Sequence, residues 1–342
     1  MDTITQITLG AAVGEAVLGR RIGNKAPLWG AVLGVVPDLD ILANPFLTEA
    51  QQIVAHRGIT HSILFCLLTP PLFGWLLAQL KWNHKAGWKQ WSGLVFWVFS
   101  THIFIDVCTS YGTQVFQPFS NYAASFNSIF IIDPFYTVPL LGGILVALFL
   151  NRNLHKRRWA NYLGLGISSF YLLMGFGVKW HVNTVFEDNS RQQNMAVDRY
   201  MTTPAPLTIF LWTGYLESGD DIHVGLYSIF DDDQEIDFIT LPRQSDLIAP
   251  YRDDLPVQRL LWFSNGYYTV EKRPDGLIFS DLRFGRSDLW LSGANPSSAY
   301  VWNYKLEFNG DSTQVTGFRH FEPSFDTRKG MFGQLFNRIL GE

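Results

Sequence analysis

Apolar runs, each near the length of a bilayer crossing, fill the first half of this 342-residue chain and end near residue 178. A helix needs about 20 apolar residues to cross ~30 Å of hydrocarbon. Six stretches come close to that: 3–19, 26–43, 62–80, 92–110, 129–150 and 159–178. The first is rich in Gly and Ala, small residues that let helices approach closely in lipid. The third carries Pro70-Pro71, which predicts a kink. The expected fold class is an α-helical polytopic membrane bundle of about six spans over residues 1–178. A small antiparallel β-rich extracytoplasmic domain is expected over 179–342, with a C-terminal amphipathic helix.

Charge divides at the same place. Residues 1–178 hold 11 Lys+Arg and 7 Asp+Glu, while the rest hold 15 and 23, so nets of +4 and −8 give the −4 of the chain. The acidic second half excludes the basic footprint of a nucleic-acid binder. Between the apolar runs, basic loops alternate with nearly uncharged ones. Arg20, Arg21 and Lys25 lie in the first loop, Lys81, Lys85 and Lys89 in the third, and Arg152, Lys156, Arg157 and Arg158 in the fifth. Loop 44–61 has only Arg57 against Glu49, and loop 111–128 has no charge. The positive-inside rule places the basic loops in the cytoplasm, which predicts a multi-pass protein of the cytoplasmic (inner) membrane with both termini outside. Residues 1–19 lack the basic start of a cleavable signal peptide. Cys66 and Cys108 sit in apolar runs outside any CxxC, which reads as two small buried hydrophobes. Glu15, one turn before Arg20 and Arg21, reads as paired or interfacial.

Ionisable residues beside such helices lose hydration, so they are functional candidates by default. Pro37-Asp38-Leu39-Asp40 ends the second run, and His56-Arg57-Gly58-Ile59-Thr60-His61-Ser62 opens the third. His102 and Asp106, four apart, share a helix face in the fourth, and Asp133 starts the fifth. The loop charges place all of these on one side of the membrane, although they are scattered over nearly 100 positions. Taken singly each has a plain reading. His102 and Asp106 can simply bond each other, Asp38 and Asp40 can be solvated, and Thr60 or Ser62 can cap the next helix. Gly58 allows the tight turn that lets both histidines of its loop reach one ion.

Taken together, Asp38, Asp40, His56, His61, His102 and Asp106 form a candidate set of metal ligands. Imidazole and carboxylate without thiolate suit zinc, manganese or iron. A divalent metal, zinc first, is the expected cofactor, and six donors exceed what one zinc needs. Arg57 and Asp133 are the candidate catalytic residues. Arg57 can bind a phosphate or other oxyanion, or be a solvated loop charge or headgroup contact. A spare carboxylate can serve as general base.

Asp2-Thr3-Ile4-Thr5-Gln6, the PDLD and HRGITHS segments, the His102–Asp106 pair and Ile132-Asp133-Pro134-Phe135-Tyr136-Thr137 together resemble the YdjM-like family of bacterial membrane proteins. The resemblance covers roughly residues 1–178 and implies an inner-membrane protein with a His/Asp metal centre and metal-dependent hydrolase activity. Where many relatives carry a His near the amino terminus, this chain has Asp2 and Gln6, as a substitute ligand and a support for one. The expected function is a membrane-bound metal-dependent hydrolase at the outer face, acting on an amphiphile such as a lipid or a lipid-linked phosphate or ester. Its partners would be membrane lipid and that substrate, with no nucleic acid. Two other classes stay open: a transporter using the same residues as a proton relay, and a scaffold stapled by metal that binds a partner through its β domain.

Beyond Trp180 the pattern changes. His181 reads as interfacial or as a further approach to the metal, and 184–201 as a linking helix stopped by Pro204 and Pro206. Strands are expected at 207–216, 222–230, 257–264, 267–273, 277–284 and 298–308. Turns are expected at Ser218-Gly219-Asp220-Asp221, Asn265-Gly266, Pro274-Asp275-Gly276 and Asn309-Gly310. Asp231-Asp232-Asp233 lacks the spacing of a calcium loop and reads as a solvated turn. Residues 330–340 predict an amphipathic helix that lies on a membrane surface or on the sheet. No catalytic motif is recognisable in this half.

Overall fold

The structure is a computed structural model, and it describes residues 1–80, 85–286, 289, 300–321 and 330–341. Lys81 and the first two residues of the strand expected at 298–308 lie outside the described residues. The chain divides into two compact units. One holds Met1–Ala43, Ala55–Gly175 and Pro206–Thr208, and the other Asn44–Val54, Phe176–Ala205 and Ile209–Glu342.

The first unit is helical. It contains α1 (Thr3–Ile22), α2 (Lys25–Val35) and the start of a 3-10 helix (Pro37–Phe46). Past α3 (Glu49–Ala55), which falls almost wholly in the second unit, a 3-10 turn (Ile59–His61) leads into α4 (Ile63–Gln79), α5 (Trp88–Val107), α6 (Pro134–Phe149) and α7 (His155–Gln192), of which the first unit holds the part up to Gly175. The glycines of α1 face those of α2. A Cβ on Gly10 would overlap the Gly30 carbonyl, and one on Gly14 the Ala26 carbonyl. Backbone therefore packs on backbone, which is the use that small residues have inside a bilayer. α6 and α7 meet in the same way at Gly143 and Gly164.

Among the described residues, one helix, α7, is long and apolar enough to cross a membrane. The count rises to three if each bent pair is one span: Lys25–Val35 with Pro37–Phe46 at 41°, and Glu49–His61 with Ile63–Gln79 at 59°. α6 is apolar but shorter, at 16 residues. α1 and α5 have 20 residues each, yet their polar side chains, Thr5, Gln6 and Glu15 on one and His102 and Asp106 on the other, are buried in the unit. Those buried residues lower the apolarity of both helices, and the six spans expected from the sequence are not reached among the described residues.

The second unit carries two four-stranded antiparallel sheets rather than one. The first runs β1 (Arg199–Pro204), β2 (Leu211–Ser218), β3 (Asp221–Ser228) and β4 (Ile239–Pro242) in order. After α8 (Leu255–Phe263), the second runs β5 (Tyr268–Arg273), β6 (Gly276–Arg286), β7 (Tyr300–Phe308) and β8 (Val315–Phe321). Met201, Tyr215, Ile222, Val224, Tyr267 and Leu282 form one shared core cluster.

Three expectations are corrected here. The strand expected at 257–264 is helix α8, because Pro256 sits in its first turn and Val257, Leu260 and Phe263 bury one helical face. The linking helix expected to 201 ends at Gln192, and Arg199–Pro204 instead pairs with β2, Thr203 opposite Thr213. Asn265 and Gly266 do adopt positive φ, 50° and 78°, but they join α8 to β5 and not two strands. The Ser218–Asp221 and Arg273–Gly276 pairs close the expected hairpins.

The last helix, α9 (Met331–Ile339), buries Leu335 and Ile339 against Ala205 and Leu211 of the first sheet. Arg338 holds both oxygens of Asp231, at 2.6 and 2.9 Å. The helix thus packs on the sheet, and one member of the acidic triplet is an ion-pair partner. His181 lies against the Tyr227 hydroxyl at 3.4 Å.

Candidate metal centre

Proline 37 has no amide hydrogen and ends α2, so the backbone turns at the PDLD segment. In the tight 3-10 helix that follows, Asp38 and Asp40 diverge. Asp40 serves the HRGITHS loop. Its Oδ1 meets His56 Nδ1 at 2.9 Å, and its Oδ2 accepts from the Arg57 amide and the Thr60 hydroxyl, both at 3.0 Å. Arg57 takes a positive φ of 56°, and Gly58 follows at φ −87° and ψ −124°, outside the α and β regions. Ser62 caps α4 by accepting from the Phe65 amide at 3.0 Å. The loop is therefore held rigid from both sides, and it drives His61 fully into the protein.

Asp38, His61, His102 and Asp106 converge, each offering one ligand atom within 4.8 Å of the others. His61 Nε2 lies 3.2 Å from Asp38 Oδ1 and 3.4 Å from Asp106 Oδ2. His102 Nε2 lies 3.5 Å from Asp38 Oδ1, 3.7 Å from Asp106 Oδ2 and 3.2 Å from His61 Nε2.

The outer bonds fix which nitrogen carries the proton. His102 Nδ1 lies 2.8 Å from the Gly34 carbonyl, which only accepts, so Nδ1 is the protonated nitrogen. That carbonyl belongs to the last turn of α2. His61 Nδ1 lies 3.0 Å from the Thr60 hydroxyl, whose own hydrogen goes to Asp40. That arrangement makes Nδ1 the donor there as well. Both Nε2 lone pairs then point into the cluster.

Asp106 is divided between two tasks. Its Oδ1 receives the Met1 amine, the Gln6 amide at 3.0 Å and Arg57 at 3.2 Å. Its Oδ2 is buried with no hydrogen-bond partner. Two imidazole lone pairs and two carboxylate oxygens, one of them orphaned, form an acceptor-only cage that a cation would satisfy. Ligand atoms arranged tetrahedrally around zinc at ~2.0–2.1 Å lie about 3.3 Å apart. Five of the six separations, 3.2 to 3.7 Å, lie near that figure, and the remaining pair, Asp38 and Asp106, lies within 4.8 Å.

The other sequence candidates take different places. Asp40 and His56 pair with each other around the loop, and His56 also packs edge-on against Tyr111. Arg57 is 3% exposed, which rules out a solvated charge. It binds Asp106, donates to Thr109 at 3.1 Å and stacks on Tyr111 at 4.7 Å. Asp133 caps α6 through the Phe135 amide at 3.0 Å and accepts from Tyr171 at 2.9 Å. Its oxygens are committed to holding helices. Asp2 likewise caps α1 by accepting from the Thr5 amide. Thr60, Thr109, Tyr111 and the Gly34 carbonyl support the cage without having been singled out for it. A threonine or a backbone carbonyl carries no signal in sequence that separates this role from an ordinary cap or helix bond.

Comparison with known proteins agrees with the first unit. Residues 1–182 match the family described as YdjM inner membrane protein. The uncharacterized protein YfhP of Bacillus subtilis (strain 168) is 28% identical over 157 residues, which are 43% of this chain and 46% of that protein. Inner membrane protein YbcI of Escherichia coli (strain K12) is 26% identical over 112 residues, 33% of this chain and 63% of that protein. The chain thus spans less than two thirds of either relative. No solved structure matches.

Proposed function

The chain belongs to the YdjM inner membrane protein family, and on that premise we propose that it is a membrane-bound metal-dependent hydrolase with Asp38, His61, His102 and Asp106 as its metal ligands. The observation that carries this reading is the buried cage itself: four acceptor atoms face one another, and Asp106 Oδ2 has no donor. Zinc fits the N/O donor set best, with manganese or iron as alternatives. When bound, a divalent metal supplies a Lewis acid and lowers the pKa of a coordinated water.

The chain's own residues do the rest. Asp40 and Thr60 fix the ring of His61, and the Gly34 carbonyl fixes that of His102, so both present the same nitrogen. Arg57 and Gln6 hold Asp106 by one oxygen and leave the other for the ion. Asp38 is the most exposed of the four, with 18% of its side chain accessible, so it is the ligand placed to yield to a substrate or water. The basic loops support a multi-pass arrangement with this face and the C-terminal unit outside the cytoplasm. A site beside apolar helices suits an amphiphilic substrate, a lipid or a lipid-linked phosphate or ester.

One observation favours a second reading. Four protein donors are the number a structural zinc takes, whereas a catalytic zinc keeps an open position. Under that reading the metal staples the helices and the protein has no hydrolytic role. The test is metal content of the detergent-purified full chain, beside His61→Ala and His102→Ala. Near-stoichiometric metal in the wild type, lost in both folded variants, supports the centre. No metal in the wild type after resupply sinks both readings. Wild-type metal that exchanges readily, with hydrolysis of a lipid phosphate or ester, separates enzyme from staple.

A further inference from the structure

Between α5 and α6, residues 111–128 contain no charged side chain. Large aromatic side chains stand outward, Phe119 at 84% exposed, Tyr122 at 64%, Phe116 at 49% and Phe126 at 47%, beside exposed Pro118, Ser120 and Asn121. The loop is nevertheless well tied. Thr113 and Ala124 exchange two backbone hydrogen bonds at 2.9 Å, and the Phe126 and Ser128 amides reach the Val107 and Cys108 carbonyls at 2.7 and 2.8 Å. A backbone fixed in this way presents its aromatic rings in one arrangement.

We propose that this loop is a lipid-facing collar, with Phe116, Phe119 and Tyr122 seated at the boundary between headgroups and acyl chains. The occupant of this surface is bilayer lipid. Four observations carry the assignment. The chain belongs to an inner membrane protein family, so a bilayer is present. The loop lies within the residues that match this family and leads from α5 into the apolar α6. Tyr122 joins an apolar ring to a phenolic tip, which suits the interface, and the Phe116 and Phe119 rings are apolar throughout. The loop has no charged side chain, and its exposed polar residues Ser120 and Asn121 are neutral, so seating it in the interface buries no charge.

The collar is joined to the metal loop by backbone. The Gln114 amide donates to the Arg57 carbonyl at 3.0 Å, and the Ile63 amide to the Val115 carbonyl at 2.9 Å. The collar and the segment whose arginine grips Asp106 thus share a hydrogen-bonded backbone. The collar stands independently of the hydrolase reading.

The test uses Phe116→Cys, Phe119→Cys and Tyr122→Cys, each labelled with a nitroxide in the full chain and reconstituted into phosphatidylethanolamine/phosphatidylglycerol vesicles. Cys66 and Cys108 are buried, and unsubstituted protein measures their background labelling. Collision with oxygen, which concentrates in lipid, is compared with collision with a water-soluble nickel chelate. Thr313→Cys, in an exposed turn, is the aqueous reference. The expected result is an oxygen-to-nickel ratio several-fold above the reference at 119 and 122. A ratio equal to the reference at these sites overturns the proposal, and so does low collision with both reagents, which would mean that protein covers the loop. Melting temperatures equal to wild type confirm that the labelled chains are folded. The measurement does not involve the metal, so its failure is separable from failure of the metal centre.

Discussion

Glu15 and Arg157 are buried as deeply as Asp106 and Arg57, in the same helical unit, but the two clusters differ in what is left over. Arg157 gives Nε and one terminal nitrogen to the two oxygens of Glu15, both at 2.6 Å. Its other nitrogen goes to Asn24 Oδ1 at 2.6 Å and the Leu150 carbonyl at 2.9 Å. Both carboxylate oxygens have donors. At the other cluster, His61, His102, Asp38 and Asp106 bring acceptors together, and one carboxylate oxygen stays without a donor. Burying a polar group without a partner is unfavourable. The first cluster is a finished structural clamp, and the second is a site that a cation completes.

The comparison predicts opposite responses to metal. Arg157→Ala strands a buried carboxylate, and breaking such a pair costs about 3–5 kcal/mol. The melting temperature in detergent should fall steeply, with or without chelator. Glu15→Leu with Arg157→Leu should recover most of the loss, because an apolar pair removes the unpaired charge. A single variant that melts like wild type would break the comparison at its structural end.

Chelation should destabilise only through the other cluster. A ligand at a thousand times its Kd stabilises by about 4 kcal/mol. Wild type should therefore lose roughly that much on chelator treatment, while His61→Ala and His102→Ala should melt alike with and without it. An equal chelator response in wild type and variants would show that the cage is not where metal acts.

A smaller effect is expected at Gln6→Leu. Gln6 holds Asp106 Oδ1 through its amide nitrogen, while its own Oε1 is buried with no partner. Loss of such an outer contact weakens metal binding by roughly 10–100-fold. Competition with a zinc chelator of known affinity measures it, and an unchanged affinity would mean that Arg57 and the Met1 amine suffice to hold Asp106.

The helical half of the fold was legible because hydropathy and loop charge act over many residues at once. The spacing of His102 and Asp106 was legible because an α-helix fixes which residues share a face. The choice between neighbours was not. Asp38 and Asp40 differ by two positions in an irregular turn, and His56 and His61 flank a residue at positive φ. Which of each pair turns inward depends on where Thr60, Gly34 and Tyr111 arrive in space. The helix at Leu255–Phe263 was missed for a related reason. A short apolar run fits a buried strand or a helix equally well, and only the burial of every third residue decides it.

The smallest expected effect tests that choice between neighbours. His56 and His61 lie in one loop, and a sequence reading gives them the same role. Here His56 Nδ1 bonds Asp40, and about a quarter of its side chain is exposed. Removing it forfeits one hydrogen bond, worth about 1 kcal/mol, and leaves Asp40 with the Arg57 amide and Thr60 still bound. Thr60 then still orients His61, so His56→Ala should keep its metal. Melting should fall by only a few degrees, and His61→Ala prepared beside it should be metal-free. Loss of metal from His56→Ala at the same level as from His61→Ala would place His56 in the ion's coordination. The cage would then have to be redrawn with the HRGITHS loop turned toward it.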